Sequence, residues 1–400
     1  MTNLSKVCAL PFTHLATHPD GHTSFCCVSD HKNCASHAKR GGQVISLNDV
    51  SIREMINSDT YRQARLEMVS GKEPDACKRC YDEERAGIRS KRQEENSRYL
   101  ESSMKTINSM DEDGYIKDLD FQFVELRLGN ICNLKCRTCN PVSSSKWKKD
   151  YSKLQEELDF ITDYSNVDDG IWFEKDSFWG ELLHNGKNLK RIYVNGGEPT
   201  LVEKHFAFLN YLIETGLSEQ IDLWYNINVT NLPTNLLQMW RNFKSISVTA
   251  SVDDLRKRNE YIRSGSEWNE TVVNLSILRS TDWIDLSICQ TLSSYNIFYI
   301  DRFFDYFTAG GDKIHHNWCY DPDYLSPWHL PDEVKQDIIS RCRHMPDYMF
   351  NNIEQTLMKP RDETKFNQFI AYNRKLDLLR STKFSDVFPE LSEAINYEGR

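Results

Sequence analysis

The order of strand-like and helix-like segments predicts an α/β fold: a partial (βα)6 barrel, preceded by a small cysteine-rich α+β module and followed by C-terminal helices. Three observations predict it. Strand-like and helix-like runs alternate after residue 120, most of the twelve cysteines precede residue 140, and the last part of the chain has helical periodicity. We therefore expect a first module at 1–95, a linker at 96–119, the barrel at 120–322 and a helical extension at 323–400.

The composition limits the function classes before any motif is considered. The chain has 400 residues, a hydrophobic content of 39% and a net charge of −10. No apolar run approaches the roughly 20 residues that a membrane-spanning helix needs, and the first residues lack the pattern of a signal peptide. We expect a cytoplasmic protein whose partner is neither a membrane nor duplex nucleic acid, because binding to phosphates needs a basic surface.

The first module contains four cysteines in a two-plus-two arrangement: Cys8, Cys26, Cys77 and Cys80. The Asp20-Gly21 pair predicts the turn of a hairpin with the first two cysteines near its open ends. A helix predicted at Ile52–Met68 precedes the second two. In a reducing compartment such cysteines bind metal rather than form disulfides. Spacing alone leaves open a structural zinc site and an iron–sulfur cluster; Cys27 is an alternative to Cys26, and Cys34 is a spare cysteine.

The segment at 82–119 is highly charged and rich in helix-forming residues, and it ends in turn residues. We expect its charges to lie on a solvated helix face, and its second part to link the two modules.

Six strands and five intervening helices are predicted in the barrel segment. The strands are Phe121–Leu128, Leu189–Val194, Ile221–Val229, Ser245–Val252, Ile284–Leu292 and Lys313–Cys319. The helices are Lys146–Ile161, Val202–Gly216, Thr234–Phe243, Glu267–Leu278 and Phe298–Phe307. An insertion at Tyr164–Gly180 separates the first two units. In parallel βα folds the chemistry lies at the carboxyl ends of the strands, so we expect functional residues there.

The first of these strands leads into a loop with the pattern Cys-x-x-x-Cys-x-x-Cys, formed by Cys132, Cys136 and Cys139. Three thiolates on one loop can hold three irons of a 4Fe–4S cube, which leaves the fourth iron without a protein ligand. A closed zinc site needs a fourth donor, and this loop supplies none.

The second strand ends in Gly196-Gly197-Glu198-Pro199. A glycine pair lets the backbone approach a neighbouring group closely, and the carboxylate can pair with a cation. In isolation this sequence is that of an ordinary turn. Its position one strand after a three-cysteine loop makes it a candidate functional motif.

Together these motifs resemble those of the radical S-adenosylmethionine (SAM) superfamily. The pattern of cysteine, glycine-x4-cysteine and Cys-x-x-Cys before the barrel resembles the twitch (SPASM-like) module of the subgroup that carries it N-terminally. The resemblance implies a 4Fe–4S cluster on Cys132, Cys136 and Cys139 whose open iron binds SAM. It also implies a second, auxiliary 4Fe–4S cluster in the first module. No further cysteine follows directly after Cys80, so we expect one auxiliary cluster.

The resemblance also assigns SAM contacts. Gly196, Gly197, Glu198 and Pro199 match the segment that holds the SAM amino group. Asn228 matches the end of the third strand, although the glycine of that motif is absent and Asn226 is an alternative. Ser251 and Arg263 match a serine and an arginine that hold the SAM carboxylate or ribose; a guanidinium suits a carboxylate because it offers a forked pair of donors. The structural alternatives are a helix cap for Ser251 and a surface ion pair for Arg263.

One candidate catalytic residue lies on the sixth strand. Cys319 is placed where its thiol could donate a hydrogen atom to a substrate radical; the alternative is an ordinary core cysteine. Residues beyond 325 carry no recognisable chemistry.

These expectations define an enzyme that cleaves SAM reductively to a 5′-deoxyadenosyl radical and takes a hydrogen atom from a substrate carbon. We expect a peptide or protein substrate, modified or dehydrogenated while the auxiliary cluster takes an electron; the alternative is a small metabolite, sugar or nucleotide. An electron donor such as flavodoxin or ferredoxin is implied. A rival of another class is a zinc-binding interaction protein without catalysis.

Overall fold

The computed structural model describes residues 4–29, 35–164 and 170–399. Cys34 and residues 165–169 of the expected insertion lie outside this range.

Ten strands are present in the described part of the chain. They are β1 His14–Thr17, β2 Thr23–Ser24, β3 Lys39–Arg40, β4 Gln43–Val44, β5 Phe123–Arg127, β6 Arg191–Asn195, β7 Asp222–Ile227, β8 Ser245–Ser251, β9 Ile284–Leu292 and β10 Lys313–Trp318. All six strands predicted for the barrel segment are confirmed as β5 to β10, and β9 has the predicted bounds.

Seventeen α-helices connect or follow these strands in the described residues. They are α1 Leu10–Thr13, α2 Ile52–Ile56, α3 Asp59–Val69, α4 Lys78–Arg85, α5 Lys91–Asn108, α6 Lys148–Glu157, α7 Asp176–Asn185, α8 Glu203–Glu214, α9 Thr234–Trp240, α10 Lys257–Ile262, α11 Trp268–Arg279, α12 Ile300–Ala309, α13 Asp332–Arg341, α14 Asp347–Leu357, α15 Glu363–Arg380, α16 Phe384–Val387 and α17 Pro389–Ala394. The five helices predicted between the barrel strands are present as α6, α8, α9, α11 and α12.

The chain forms two compact units whose boundary differs from the predicted one. The first comprises Met1–Ile131, Asp168–Tyr225 and Pro233–Ile246, and the second Cys132–Val167, Asn226–Leu232 and Ser247–Arg400. Short-range sequence patterns identify strands and helices, but they do not show how densely neighbouring βα units contact one another. The sequence therefore predicted a division at residues 95 and 119, whereas the contacts divide the chain within the barrel segment.

The first unit is built on a mostly parallel sheet in the order β2-β1-β5-β6-β7. Strand β1 runs parallel to β5, with Leu15 opposite Val124, and antiparallel to β2, with Ala16 opposite Ser24. The β1–β2 hairpin turns at Gly21, whose φ of 84° favours glycine. The predicted hairpin is therefore confirmed.

In the second unit strands β8, β9 and β10 are neighbours, and β9 and β10 are parallel with Ile288 opposite Ile314. Apolar side chains of the helices α13 to α17 form a large core cluster with residues such as Trp147, Leu292 and Tyr295, all of them fully buried. The alternation of parallel strands and helices in both units confirms the predicted α/β class.

The helix predicted at Ile52–Met68 is divided into α2 and α3. Asn57 is the C-cap residue of α2, and its N–H still donates to the Arg53 carbonyl. Its side chain pairs with the backbone of Ile116, accepting from the N–H at 2.8 Å and donating to the carbonyl at 3.0 Å, which fixes the chain where the helix ends. Helix α3 then starts after Ser58. A contact with a residue 59 positions away gives no local signal in the sequence.

The segment expected to be a linker at 96–119 begins inside helix α5, which belongs to the first unit. Its N-terminus carries a capping box between Ser90 and Gln93. Arg92 and Glu95 are buried, and the side chain of Asn96 binds both the Val7 carbonyl and the Ala9 N–H. The charge run is therefore partly packed against the N-terminal segment rather than wholly solvated.

Among the described helices, none is both long enough and apolar enough to cross a lipid bilayer.

Candidate functional site

The first unit brings the four predicted cysteines around one cavity. Cys8, Cys26, Cys77 and Cys80 all line it. Cys8 precedes α1, Cys26 follows β2, and the last two lie at the start of α4. The residues just before α1 and just after β2 thus supply two sulfurs, and the start of α4 supplies the other two from a distant part of the chain, as the two-plus-two spacing requires.

Cys26, and not Cys27, lines this cavity. Cys26 is buried, whereas Cys27 is half-buried and its electrostatic neighbours are Glu125, Lys91 and Arg127. The structure therefore favours Cys26 as the ligand.

The four thiols lie close enough to perturb one another. Burial raises the pKa of Cys8 to about 12, with a further contribution from Cys80. Burial also raises the pKa of Cys77, and Cys26 and Cys8 add to it. Bare thiolates would be costly here, whereas a cationic metal centre stabilises them and leaves each sulfur deprotonated. The donor set therefore fits a 4Fe–4S cluster with four cysteine ligands.

A second feature of this cavity is its cationic lining. Lys91 and Arg92 are both at its wall. Burial alone would lower the pKa of Lys91, but Cys27, Glu95 and Cys26 raise it overall, so the ammonium stays protonated. A positive charge beside the sulfurs offsets part of the negative charge of a thiolate-ligated cluster.

Among the described residues, no group of three or more His, Cys, Asp or Glu side chains is arranged to hold a single metal ion.

In the second unit Cys132, Cys136 and Cys139 lie on one tight loop. The Cys139 N–H donates to the Cys136 carbonyl at 2.9 Å, and the Leu134 N–H points to the Cys132 sulfur at 3.5 Å. Burial raises the pKa of Cys139, and Cys136 and Cys132 raise it further. Three cysteines on one loop, with an amide directed at one of the sulfurs, fit a cluster with three protein ligands.

The loop is held at its backbone. The Lys135 N–H donates to the Ser264 carbonyl at 2.9 Å, and the Arg137 N–H donates to the Ile262 carbonyl at 2.7 Å. These bonds attach both sides of Cys136 to the two residues that flank Arg263: Ile262, the last residue of α10, and Ser264. The predicted Arg263 and the cysteine loop are thus neighbours in the structure.

Arg263 is a buried cation beside this loop. Its Nη1 donates to Asp253 at 3.1 Å, while its buried Nε has no hydrogen-bond partner among the described residues. Burial alone would lower the pKa of Arg263, but Cys136 and the Asp253 carboxylate raise it. Burying a hydrogen-bond donor without a partner costs free energy. The Nε–H of Arg263 is therefore available to donate to a carboxylate ligand. The surface ion pair considered for Arg263 is ruled out by its burial.

Asp253 is itself fixed from several sides. Its carboxylate also accepts the Thr291 N–H at 2.9 Å, and its carbonyl accepts hydrogen bonds from Gln290 at 2.9 Å and Asn296 at 2.7 Å. Asp253 was not predicted as a site residue, although it closely follows the end of β8.

The other predicted contacts of the second unit lie at strand ends. Asn228 follows β7, accepts the Thr230 N–H at 3.0 Å and donates to Asn133 of the cysteine loop at 2.8 Å. Ser251 ends β8 and is half-buried. Asn228, rather than the alternative Asn226, therefore bonds to the cysteine loop through Asn133.

The Gly-Gly-Glu-Pro turn lies in the first unit, after β6. The Gly197 N–H donates to the Gly129 carbonyl at 3.2 Å, and the Glu198 N–H donates to the Ile131 carbonyl at 2.7 Å. A Cβ on Gly197 would lie 2.3 Å from the Ile131 oxygen. The buried Glu198 carboxylate accepts from the Thr200 hydroxyl at 2.7 Å, and Pro199 is buried as well. The glycine pair therefore permits close packing of this turn on the segment that precedes Cys132.

The surroundings of Cys319 differ from those expected for a hydrogen-atom donor. It is buried within the apolar core cluster, and its thiol is directed at the Asp321 carbonyl at 3.8 Å. Burial raises its pKa to about 12. These surroundings favour the core alternative; its catalytic role stays a prediction.

A polar sheet face was not recognised in the sequence. Strands β8, β9 and β10 alternate, and one face carries only small or polar side chains. Hydrogen bonds between Thr249 and Ser287 at 3.3 Å, and between Asn317 and Cys289 at 3.1 Å, show that these side chains share that face. The face comprises Ser247, Thr249, Ser251, Asp285, Ser287, Cys289, Thr291, Lys313, His315 and Asn317. Parallel strands covered on both faces are hydrophobic throughout, so this face does not lie in an apolar core.

Comparison with protein families identifies the first module. Residues 8–81 match the SPASM family, an iron-sulfur cluster-binding domain. The matched segment begins at Cys8 and ends just after Cys80, so it contains all four cavity cysteines. The iron–sulfur module predicted from the sequence, and the resemblance on which it rests, are thereby confirmed for this part of the chain.

Solved structures with limited similarity also match. One is anSMEcpe with bound AdoMet, with 17% identity, a TM-score of 0.43, and coverage of 58% of this chain and 62% of that chain. Another, anSMEcpe with bound AdoMet and Kp18Cys peptide, has 15% identity and a TM-score of 0.38. Streptococcus suis SuiB bound to S-adenosylmethionine has 14% identity, a TM-score of 0.35, and coverage of 82% and 68%. The chain thus spans less than two thirds of the length of anSMEcpe. No curated protein matches the sequence.

Proposed function

We propose that this chain is a radical SAM enzyme with one auxiliary 4Fe–4S cluster. The observation that carries the proposal is the loop of Cys132, Cys136 and Cys139: three cysteines on one loop that provide one ligand fewer than a cube needs, with the loop bonded to the residues on either side of Arg263, a buried guanidinium with an unused donor. Cys132, Cys136 and Cys139 would hold a cluster that, when bound, would supply the electron for reductive cleavage of SAM to a 5′-deoxyadenosyl radical, and so for removal of a hydrogen atom from a substrate carbon.

The chain's own residues would bind and orient SAM. We assign the SAM carboxylate to Arg263, because its Nε is buried, cationic and unpaired within the described residues. Asp253 holds that guanidinium in place through Nη1. The resemblance assigns the remaining contacts to Gly196, Gly197, Glu198, Pro199, Asn228 and Ser251.

The auxiliary cluster would be held by Cys8, Cys26, Cys77 and Cys80. Four cysteine ligands leave no open coordination position, so such a cluster supplies electron transfer rather than substrate binding. This supports a net oxidation of the substrate, such as a dehydrogenation or a cross-link. The product radical would then return the electron used to cleave SAM, so we expect one SAM and no net reductant to be consumed for each product, which would be two hydrogens lighter than the substrate. Net consumption of reductant for each product, or a product of unchanged mass, would contradict it.

The polar face of β8, β9 and β10 supports a polar substrate. Its hydroxyl, amide and imidazole groups can bind amides or hydroxyl groups, and a site built of such groups discriminates against ligands that leave them unpaired. We propose a peptide or protein substrate first and a small polar metabolite, sugar or nucleotide second. A flavodoxin or ferredoxin would be the electron donor.

The decisive experiment is reduction of anaerobically purified protein with SAM present. We expect brown protein with about eight irons per chain and formation of 5′-deoxyadenosine. Replacing Cys132, Cys136 and Cys139 together by alanine should abolish 5′-deoxyadenosine and leave about four irons. Colourless protein that binds only zinc, or a triple variant that still cleaves SAM, would refute the proposal.

A further inference from the structure

Helix α15 lies against the three-cysteine loop, more than 230 residues away in sequence. Tyr372, Asn373, Asp377 and Arg380 all contact the loop. Their spacing of one, five and eight residues places them along one side of a helix with 3.6 residues per turn. The C-terminal region, in which the sequence showed no chemistry, therefore reaches the proposed cluster site.

Four consecutive carbonyls of the loop are each fixed by a side chain from outside it. Ser144 donates to Leu134 at 2.6 Å and the Trp147 indole donates to Cys136 at 3.0 Å. The other two donors come from α15: Arg380 donates to the Lys135 carbonyl and Tyr372 to the Arg137 carbonyl, both at 2.9 Å. Every carbonyl from 134 to 137 is thus oriented, and so is the direction in which the cysteine side chains leave the backbone.

Arg137, between the second and third cysteines, turns away from them and inserts beside α15. Its side chain is 1% exposed. It donates to Asn373 at 2.8 Å and to Asp377 at 2.7 Å, and its guanidinium lies 3.6 Å from the ring centre of Tyr261. A buried guanidinium is retained only when it is paired, so this anchor requires Asp377.

Asp377 joins several segments at this point. Its carboxylate also accepts from the Tyr261 hydroxyl at 2.6 Å, the Thr382 hydroxyl at 2.8 Å and the Phe384 N–H at 2.7 Å. Tyr261 belongs to α10, which precedes Arg263. One carboxylate therefore connects the cysteine loop, the segment that carries Arg263 and the turn after α15.

We propose that α15 is a positioning element for the three-cysteine cluster, acting through the Arg137–Asp377 pair and through the bonds of Tyr372 and Arg380 to the loop carbonyls. The inference rests on the proposed function, because it needs a cluster on Cys132, Cys136 and Cys139. These α15 residues do not ligate the cluster; they hold the backbone that directs its ligands.

The experiment compares the two clusters of one protein, so that the auxiliary cluster serves as an internal standard. Asp377→Asn and Tyr372→Phe are prepared anaerobically, with Asp377→Glu as the conservative rescue. Glu390→Gln is the matched control, because Glu390 forms an exposed ion pair with Arg302 in the same unit. Iron content, the EPR signal that changes when SAM is added, and the rate of iron loss to a chelator are measured.

We expect Asp377→Asn to lose at least five-fold in the SAM-sensitive signal, with iron falling from about eight towards about four per chain. Tyr372→Phe should keep its iron but release it from the three-cysteine site at least three times faster. Asp377→Glu should recover at least half of the signal, and Glu390→Gln should match the wild type.

A wild-type SAM-sensitive signal in Asp377→Asn together with a wild-type rate of iron release in Tyr372→Phe would overturn the inference. Equally faster iron release from both clusters in Tyr372→Phe would overturn it too, because it would indicate a general folding role. If Asp377→Asn does not fold, Tyr372→Phe alone decides, because it removes one hydroxyl and keeps the ring. Failure of the proposed function is distinguishable: the triple cysteine variant would then show the same iron content and SAM response as the wild type.

Discussion

Lys91 carries a positive charge directly beside the buried thiols of the first unit, where it lines the cavity with Cys26. Reduction of a thiolate-ligated cluster adds a negative charge, which a nearby cation stabilises. We therefore expect Lys91→Gln to lower the reduction potential of the auxiliary cluster by on the order of 50 mV. A spectroelectrochemical titration of the variant that lacks the three loop cysteines measures this potential without interference.

The control for Lys91→Gln is Lys105→Gln on the same helix. Lys105 is exposed and lies 14 residues further along α5, about 21 Å away, so its charge should be screened by salt. Equal potentials in Lys91→Gln and the wild type, or an increase, would show that Lys91 does not act on the cluster.

At the level of single residues, the sequence predicted best where ligands are close in the chain. The spacing of Cys132, Cys136 and Cys139 is set by the geometry of one loop, so it is visible locally. Asp253 and Asp377 were missed because their roles depend on partners brought together only by the fold, such as Arg263 and Arg137. A signal did exist for Asp253, which lies at a strand end, where parallel folds place their functional groups.

In the turn after β6, the backbone of Gly197 packs so closely on Ile131 that it leaves no room for a side chain. A Cβ on Gly197 would meet the Ile131 carbonyl at 2.3 Å for oxygen and 2.8 Å for carbon, and neither backbone atom can rotate away. We expect Gly197→Ala to destabilise the protein by about 3 kcal/mol or more, as overpacking of a rigid site does. Urea unfolding followed by circular dichroism gives the change in the free energy of unfolding.

Gly180→Ala is the matched control for the same substitution. Gly180 lies inside α7, and a Cβ at this position would have no neighbouring atom within 4 Å among the described residues. Alanine should stabilise this helix by up to about 1 kcal/mol. If Gly197→Ala were as stable as Gly180→Ala, the close approach of the turn to Ile131 would not be a constraint.

At the level of elements, periodicity predicted strands and helices that form from local pattern, and it failed where a distant contact decides. Strand β9 has the predicted bounds because apolar residues from Ile284 to Ile288, and again Leu292, alternate with polar or small ones. The helix at Ile52–Met68 was predicted as one because the break at Asn57 depends on Ile116. The charges of α5 were assigned to solvent because the N-terminal segment that buries Arg92 is 85 residues away in sequence.

The two units of the molecule differ from the predicted modules because contacts between distant segments define the units. Motif order along the chain indicates which chemistry each segment carries, whereas contact density decides which segments form one unit. The first unit therefore contains both the SPASM-matching segment and part of the βα repeat. The family match at 8–81 and the unit boundary at Ile131 describe different properties of the same chain.

The stability of the whole molecule should fall in mild acid, because buried histidines are kept neutral. Burial lowers the pKa of His14, His205 and His316 to about 4 each. An unfolded histidine has a pKa near 6.5, so between about pH 6.5 and about pH 4 the unfolded chain binds protons that the folded chain does not. The stabilisation from these groups is present above about pH 6.5 and is lost as the pH falls through that window.

A substitution at His205 measures how much one buried histidine contributes to the loss of stability in mild acid. Its Nδ1 bonds to the Val202 carbonyl at 2.5 Å and its Nε2 to the Tyr225 hydroxyl at 2.9 Å, contacts that a glutamine can partly replace. From pH 7.5 to pH 5.5 we expect the wild type to lose about 1 kcal/mol more of its free energy of unfolding than His205→Gln does. Replacing the exposed His184 by glutamine should leave the wild-type difference unchanged. Identical pH dependence in the wild type and His205→Gln would show that protonation of His205 is not coupled to unfolding, and the acid sensitivity would then have to come from the other buried histidines.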